Sequence, residues 1–576
     1  MLCLLVCLCK TNLCGQLFTR ITNTMNPIVT DAYESGGGSW VDINNDSLLD
    51  LFVANGNLSN QNNSLYRNTG NGNFVKVTSG AIVNDGGSSI GSTWGDYDND
   101  GFLDCFVTNR NNFGNFLYHG NGDTVFTKIT TGSVVTSMDN SNSSSWVDVD
   151  NDGDLDLYVV NFQAADFFYI NSGVSGFTLS PITHSITSGT NFSIPGAWGD
   201  YNNDLYADLF IGNSGTQNDQ LFTNNGNLAF TSSSFSDGKA TLGSSWGDYD
   251  NDGDLDLFVT NFLSHGNILY QNSGAPAYSL TPVPGSIATE SASSVGSAWG
   301  DLDNDGDLDL YVGNDGQNNF LYLNNGFPAY SFTKVLSGQV VNDGGNSFGC
   351  VFGDYDNDGQ LDIFVANRLN QQNFLYHNNG TANNWITVKC TGVASNKSAI
   401  GTKVYVKSVI GGNPTWQMQE IEGQTGYNSQ NLWLHFGLGD ASLIDTMKIK
   451  WPSGKTDTCY AIPANQFYAA IEGACHTVTI ITTGIEEFKT TPLHFQNYPN
   501  PFTGQTTLSY SLAQQTEVTI EIYDLTGRFV QGILSENQAP GIKELIVKPD
   551  KLAPGYYYFK LKTKEGSATR SFIYSN

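Results

Sequence analysis

The chain has 576 residues, 39% hydrophobic and 12% aromatic, which is enough for several packed domains, yet only 14% are charged. The net charge of −30 is concentrated in residues 16–383, where 40 Asp and Glu face 8 Lys and Arg. So negative a field excludes nucleic acid and anionic membrane surfaces as partners, and the want of any long helical period excludes a helical bundle.

Leu2 to Leu8 form a short apolar run leading to Cys14-Gly15-Gln16. The run is too short to span a bilayer and resembles the end of a secretory signal peptide, so residues 1–15 are expected to be one, truncated at its start. Four of the nine cysteines, Cys3, Cys7, Cys9 and Cys14, fall in this stretch, and no cysteine spacing suggests zinc. Cys105 takes a strand position held elsewhere by Leu51, Leu157 or Leu257, which predicts a buried hydrophobe.

Internal repeats dominate residues 16–383. The fragment Trp94-Gly95-Asp96-Tyr97-Asp98-Asn99-Asp100-Gly101 recurs, with first aspartates at Asp42, Asp96, Asp148, Asp200, Asp248, Asp301 and Asp354, in steps of 54, 52, 52, 48, 53 and 53 residues. An aromatic stands two residues before each: Trp40, Trp94, Trp146, Trp198, Trp246, Trp299 and Phe352. After each acidic loop come an apolar strand, a Leu-Tyr strand and a third strand, and a Ser/Gly-rich stretch leads to the next Trp strand. Four strands in about 50 residues is the size of one propeller blade, so residues 16–383 are expected to form a seven-bladed β-propeller. A β-solenoid or a string of separate modules is the rival arrangement. Leu17-Phe18-Thr19-Arg20-Ile21-Thr22 has the fourth-strand pattern but precedes the first loop, and it is expected to supply the outer strand of the last blade.

Each loop reads Asp-x-Asp-x-Asp-Gly-x-x-Asp. Calcium takes six to eight oxygens at about 2.3–2.6 Å, and side chains at positions 1, 3, 5 and 9 of a tight loop converge on one ion, with a backbone carbonyl from position 7. The expected ligands are Asp42, Asn44, Asp46 and Asp50; Asp96, Asp98, Asp100 and Asp104; Asp148, Asp150, Asp152 and Asp156; Asp200, Asn202, Asp204 and Asp208; Asp248, Asp250, Asp252 and Asp256; Asp301, Asp303, Asp305 and Asp309; and Asp354, Asp356, Asp358 and Asp362. Unpaired, such carboxylates repel. Up to seven Ca2+ are therefore expected. The sites at Asp42 and Asp200 are expected to be weakest, since Ser47 and Leu205 replace the glycine that turns the chain at positive φ. An EF-hand is excluded because position 12 after Asp96 is Val107, inside a strand, and magnesium fits less well because it demands strict octahedral geometry. These loops resemble the calcium-binding repeats of the FG-GAP/VCBS type, also found in integrin α-subunit propellers. That resemblance covers residues 16–383 and implies loops that join the first two strands of each blade on one face of the ring.

Residues 384–475 carry more lysine and alternating strands. Asn384-Trp385-Ile386-Thr387-Val388, Ala399-Ile400-Gly401-Thr402-Lys403-Val404, Gly423-Gln424-Thr425-Gly426-Tyr427, His435-Phe436-Gly437-Leu438-Gly439 and Trp451-Pro452-Ser453-Gly454 closely resemble, in that order, the ASPIC/UnbV module. A small β-domain docked on the propeller is expected, with His435 a core or turn histidine. Cys459 and Cys475 could pair, adding about 3 kcal/mol. Residues 476–490 read as a linker. Asn497-Tyr498-Pro499-Asn500-Pro501-Phe502, Ile522-Tyr523-Asp524-Leu525-Thr526-Gly527-Arg528 and Leu552-Ala553-Pro554-Gly555-Tyr556-Tyr557 strongly resemble the type A sorting domain of type IX secretion. This implies an Ig-like β-sandwich over 491–576, type IX machinery as a partner, and cleavage after export.

The fold class expected is thus all-β, and the expected place is outside the cell or on the outer-membrane surface. The leading functional expectation is a calcium-binding adhesion or binding module for a glycan or protein ligand, with no membrane insertion. An extracellular polysaccharide-acting enzyme is the alternative, and a purely architectural role a third. The sequence has no G-x-S-x-G elbow or zinc motif, and its seven histidines are scattered; His119 and His377 follow Leu-Tyr pairs and read as surface-structural.

Overall fold

The computed structural model describes residues 17–474 and 495–574, apart from 57–58, 174–175, 189–191, 216, 237, 286, 288–289, 424–426, 429–430, 499, 501, 513–514, 525–528, 550–551 and 565. The expected signal peptide (1–15) and linker (476–490) lie outside these residues. The chain divides into two compact units, Met1–Ile480 and Ile481–Asn576.

Each repeat folds into a four-stranded antiparallel sheet. In the second, Ser89–Gly95, Asp104–Asn109, Phe116–Gly120 and Phe126–Ile129 pair in chain order. Blades are numbered by their acidic loops, from Asp42 (blade 1) to Asp354 (blade 7). The two inner strands are buried along their whole length because a neighbouring blade covers each face. Aromatic residues make the joints. Trp94 packs edge-on against Phe52 of the preceding blade, with ring centroids 5.5 Å apart, and Trp198 does the same against Tyr158 at 5.7 Å. Such pairs add about 0.5–1.5 kcal/mol beyond area burial. Trp40 of blade 1 meets Phe364 of blade 7 at 6.4 Å, so seven four-stranded sheets close into a ring.

The ring is latched as the sequence pattern requires. The outer strand of blade 7 is Phe18–Arg20, from the start of the described chain, paired antiparallel with Tyr376–Asn378. Ile21 N–H donates to Leu375 O at 2.8 Å, Phe18 is 5% exposed, and Arg20 lies over the Phe374 ring and pairs with Asp343 at 3.0 Å.

The following domain has two sheets. Asn384–Thr391 lies between Trp433–Gly439 and, in parallel, Gln466–Ile471; the second sheet runs Asn413–Glu420, Lys403–Ile410, Leu443–Lys450, Thr456–Pro463. Its core, with Ile386, Val404, Phe436, Met447 and Trp451, is continuous with that of blades 2 and 3. Cys105, Cys350 and Cys390 are buried and free, and Cys459 is disulfide-bonded; Cys475 lies outside the described residues. The second unit is a sandwich of a three-stranded and a four-stranded sheet that share one core, including Leu508 and Tyr510 from one and Ile520, Phe559 and Phe572 from the other. Among the described residues no helix is long and apolar enough to cross a membrane.

Candidate metal centres and the docked domain

Every acidic loop joins the first two strands of its blade, and backbone N–H groups set its carboxylates. In blade 2, Asp96 accepts from Asp100 N at 2.9 Å and Gly101 N at 2.7 Å. Asp104 accepts from Tyr97 N at 3.0 Å and Gly120 N at 2.8 Å, so the ninth position is fixed from the loop itself and from the third strand. Gly101, Gly153, Gly253, Gly306 and Gly359 turn the chain at φ between +85° and +101°. Ser47 and Leu205 adopt φ of +67° and +74° in the same place, so these two loops close despite the side chain, with strain that glycine avoids.

The ligand atoms of Asp96, Asp98 and Asp100 lie within 4.8 Å of one another, as do those of Asp148, Asp150 and Asp152, and of Asp248, Asp250 and Asp256. Buried oxygens of Asp98, Asp148, Asp150, Asp208, Asp250 and Asp356 meet no hydrogen-bond donor. Burial, together with the neighbouring carboxylates, pushes Asp148 up to about 7; burial likewise holds Asp100, Asp252 and Asp358 near about 6. Hard oxygen donors aimed at one point with unmet lone pairs fit a hard divalent cation, and Ca2+ suits their number. The Asp301 and Asp354 loops repeat the same backbone pattern.

Two features escape a reading of the oxygen donors alone. The fourth loop position is asparagine in all seven repeats, each in the left-handed region. Each side chain reaches the sixth-position carbonyl of the next loop: Asn45 to Gly101 O (3.0 Å), Asn99 to Gly153 O (3.2 Å), Asn151 to Leu205 O (2.8 Å), Asn203 to Gly253 O (3.3 Å), Asn251 to Gly306 O (3.1 Å), Asn304 to Gly359 O (2.9 Å) and Asn357 to Ser47 O (3.0 Å). The seven loops are therefore tied into one hydrogen-bonded circle. An unvarying letter between the acids was the available signal. The second feature gives the two surface-structural histidines, each about a quarter exposed, their partners. His119 Nδ1 is 3.1 Å from Asp104 and 3.2 Å from Asp98, and His377 Nδ1 is 3.2 Å from Asp362. Hydrogen bonds to these buried aspartates raise both imidazoles to about 9. A histidine at the penultimate position of the third strand comes to the loop because the Asp at position 9 begins the adjacent strand.

The 384–474 domain sits on these loops. Ser398 Oγ accepts from Asp96 N at 2.8 Å, Lys397 N donates to Asn99 Oδ1 at 3.0 Å, and Lys403 pairs with Asp200 at 3.2 Å. His435, 5% exposed, joins Asn304 Oδ1 at 2.7 Å to Thr387 Oγ1 at 3.0 Å, and burial lowers it to about 3. It is a core histidine, as its apolar neighbours suggested, and also an interface one. From the same domain Tyr427 enters the middle of the ring. It forms one core cluster with Ile90, Ile194, Leu242, Val295 and Phe348, contributed by the inner strands of five blades. Gly37 and Gly349 make room: a Cβ on Gly37 would lie 1.9 Å from Tyr427 O, and one on Gly349 2.2 Å from Asn428 Oδ1. Asn428 accepts from Gly38 N at 3.2 Å.

A closed wheel of four-stranded sheets with a carboxylate loop in each, its centre entered by Tyr427 of a second β-domain, defines a β-propeller built on acidic-loop repeats. The FG-GAP-like repeat matches residues 42–107, 96–159, 148–211, 200–259, 248–312 and 301–365, together more than half of the chain. The protein belongs to the FG-GAP-like repeat family. The ASPIC and UnbV domain matches residues 392–477, and the secretion system C-terminal sorting domain matches residues 496–575. A comparison with curated proteins found no match to the chain. The sorting domain marks the protein for export to the cell surface or beyond, by way of the type IX machinery.

Proposed function

We propose that this exported protein is a calcium-stabilised binding or adhesion module rather than an enzyme. The observation that carries the reading is the set of buried carboxylate oxygens in successive loops that converge without donors. Calcium bound there would neutralise them, rigidify the first hairpin of each blade and link folding to external calcium, since extracellular modules bind it on the order of 0.1–1 mM. Two further features favour binding over catalysis. The clustered acids are engaged in loop geometry, and Tyr427 occupies the middle of the ring.

The experiment is a thermal melt of the full chain with calcium and after EDTA, followed by a glycan array and an assay for released sugars. A melting temperature that falls sharply on chelation, with ligand retained and no turnover, is the expected result. A melting temperature insensitive to EDTA would overturn the calcium reading, and sugar release would make the protein a glycan-acting enzyme.

A further inference from the structure

The seven loops fall into two groups. Those opening at Asp96, Asp148, Asp248, Asp301 and Asp354 keep aspartate at position 3 and glycine at position 6. Those opening at Asp42 and Asp200 have Asn44 and Asn202 at position 3, and Ser47 and Leu205 at position 6. The structure adds an independent distinction: these same two loops each receive a lysine from the docked domain. Lys389 Nζ is 3.3 Å from Asp42 Oδ2, and Lys403 Nζ is 3.2 Å from Asp200 Oδ2.

We infer that the Asp42 and Asp200 loops hold no metal ion, because Lys389 and Lys403 supply their positive charge, so that the protein takes up five calcium ions and uses the other two blades as electrostatic anchors for the docked domain. This rests on the calcium reading of the remaining five loops.

At the Asp200 loop the substitution of ammonium for metal is most complete. The Lys403 side chain is 1% exposed, so its ammonium depends on protein partners. Besides Asp200 Oδ2 it reaches the Asp200 carbonyl, Asn203 Oδ1 at 2.6 Å and Glu420 Oε2 at 3.7 Å. Glu420 in turn accepts from Asp200 N at 3.2 Å, closing the group. An ion held by Asp200 would share that carboxylate with a fixed ammonium, and two cations on one ligand repel.

The asparagines point the same way. Asn202 Oδ1 already accepts from Asp204 N at 3.0 Å, and Asn44 Oδ1 from Asp46 N at 3.1 Å. Asn44 Nδ2 also donates to Asp46 Oδ2 at 2.9 Å, so an amide hydrogen occupies an oxygen that a metal would need. In the other group the position-3 aspartates Asp150, Asp250 and Asp356 accept the same backbone N–H, yet each keeps a second, buried oxygen without a donor, as does Asp98. In the Asp200 loop the donorless oxygen is at position 9, Asp208 Oδ2. His119 and His377, which enter two of the metal-holding loops, do not break the division: metal binding releases protons from its ligands, and an imidazole that gives up its proton offers a ring nitrogen to the ion, whereas an ammonium offers none.

The deciding measurement is metal stoichiometry on the full chain. Equilibrium dialysis against labelled calcium, in about 0.15 M salt with excess magnesium to displace diffuse counterions, is expected to saturate at five ions per chain. Asp200→Asn should leave that number unchanged, and Asp248→Asn should lower it by one. An anomalous difference map from calcium-grown crystals of the unaltered protein gives the same answer without any variant, with peaks in five loops and none at Asp42 or Asp200. Six or seven ions, a peak in either of those two loops, or loss of an ion on Asp200→Asn would overturn the inference while leaving the calcium reading intact. No bound calcium at all would overturn both.

Discussion

Tyr427→Ala tests whether the docked domain holds the wheel from within. Tyr427 is 1% exposed, its ring centroid lies 4.8 Å from that of Phe348, and it shares one core cluster with residues from the inner strands of five blades. Truncating a buried aromatic costs roughly 3–5 kcal/mol, set by how far the surroundings collapse into the space. Here the walls are strands hydrogen-bonded within a closed circle of sheets, so they relax little, and a loss of about 4 kcal/mol is expected. Tyr427→Phe separates packing from polarity. The hydroxyl bonds Arg110, whose guanidinium also holds Asn142 Oδ1 at 2.7 Å, so the phenylalanine variant should lose only about 1–2 kcal/mol. Urea unfolding of the calcium-loaded protein, followed by tryptophan fluorescence, reads both. An alanine variant within about 1 kcal/mol of the parent protein would refute the idea that Tyr427 braces the ring.

Two other outcomes are expected. Phe18→Ala, which empties the latch strand's place in the core cluster that also holds Val335, Leu361 and Tyr376, should destabilise the propeller by about 2–4 kcal/mol in the same assay, and an unchanged midpoint would rule the latch out as a stabilising element. Burial opposes the charge on Glu472, yet Ser453 Oγ and the N–H groups of Val393, Ala394 and Ser395 hold it at about 2. A folded pKa below the unfolded one stabilises above the unfolded value and ceases to do so as pH falls through the folded one. Glu472→Gln should therefore be about 2–3 kcal/mol less stable than the parent at pH 7, with the gap closing between about pH 4.5 and 2. A gap constant across that range would show that the carboxylate's charge is not what matters.

The loops and the latch were legible because the chemistry of each is written locally: oxygen donors at fixed spacing, and a fourth-strand pattern in front of the first repeat. The circle of asparagines was visible as an unvarying letter but had no meaning until neighbouring loops were brought side by side. The Ser/Gly-rich stretches before each Trp strand showed small residues without their reason, which is the passage of Tyr427 and Asn428 past Gly37 and Gly349. Lys389 and Lys403 were the least readable. Each is an ordinary lysine on a strand, 347 and 203 residues from the loop it meets, and no local pattern encodes a contact over that separation.

The pairing of Phe18–Arg20 with Tyr376–Asn378 makes the earliest stretch of the wheel wait for its last. Joining partners 360 residues apart carries a loop-closure entropy of about 5 kcal/mol. Only the assembled neighbours make that worthwhile, so completion comes as one late step. A chain broken off before residue 374 leaves its opening segment without a mate and the second strand of blade 7 with a bare edge. The fold thus contains its own check on length, satisfied only when the whole propeller is present.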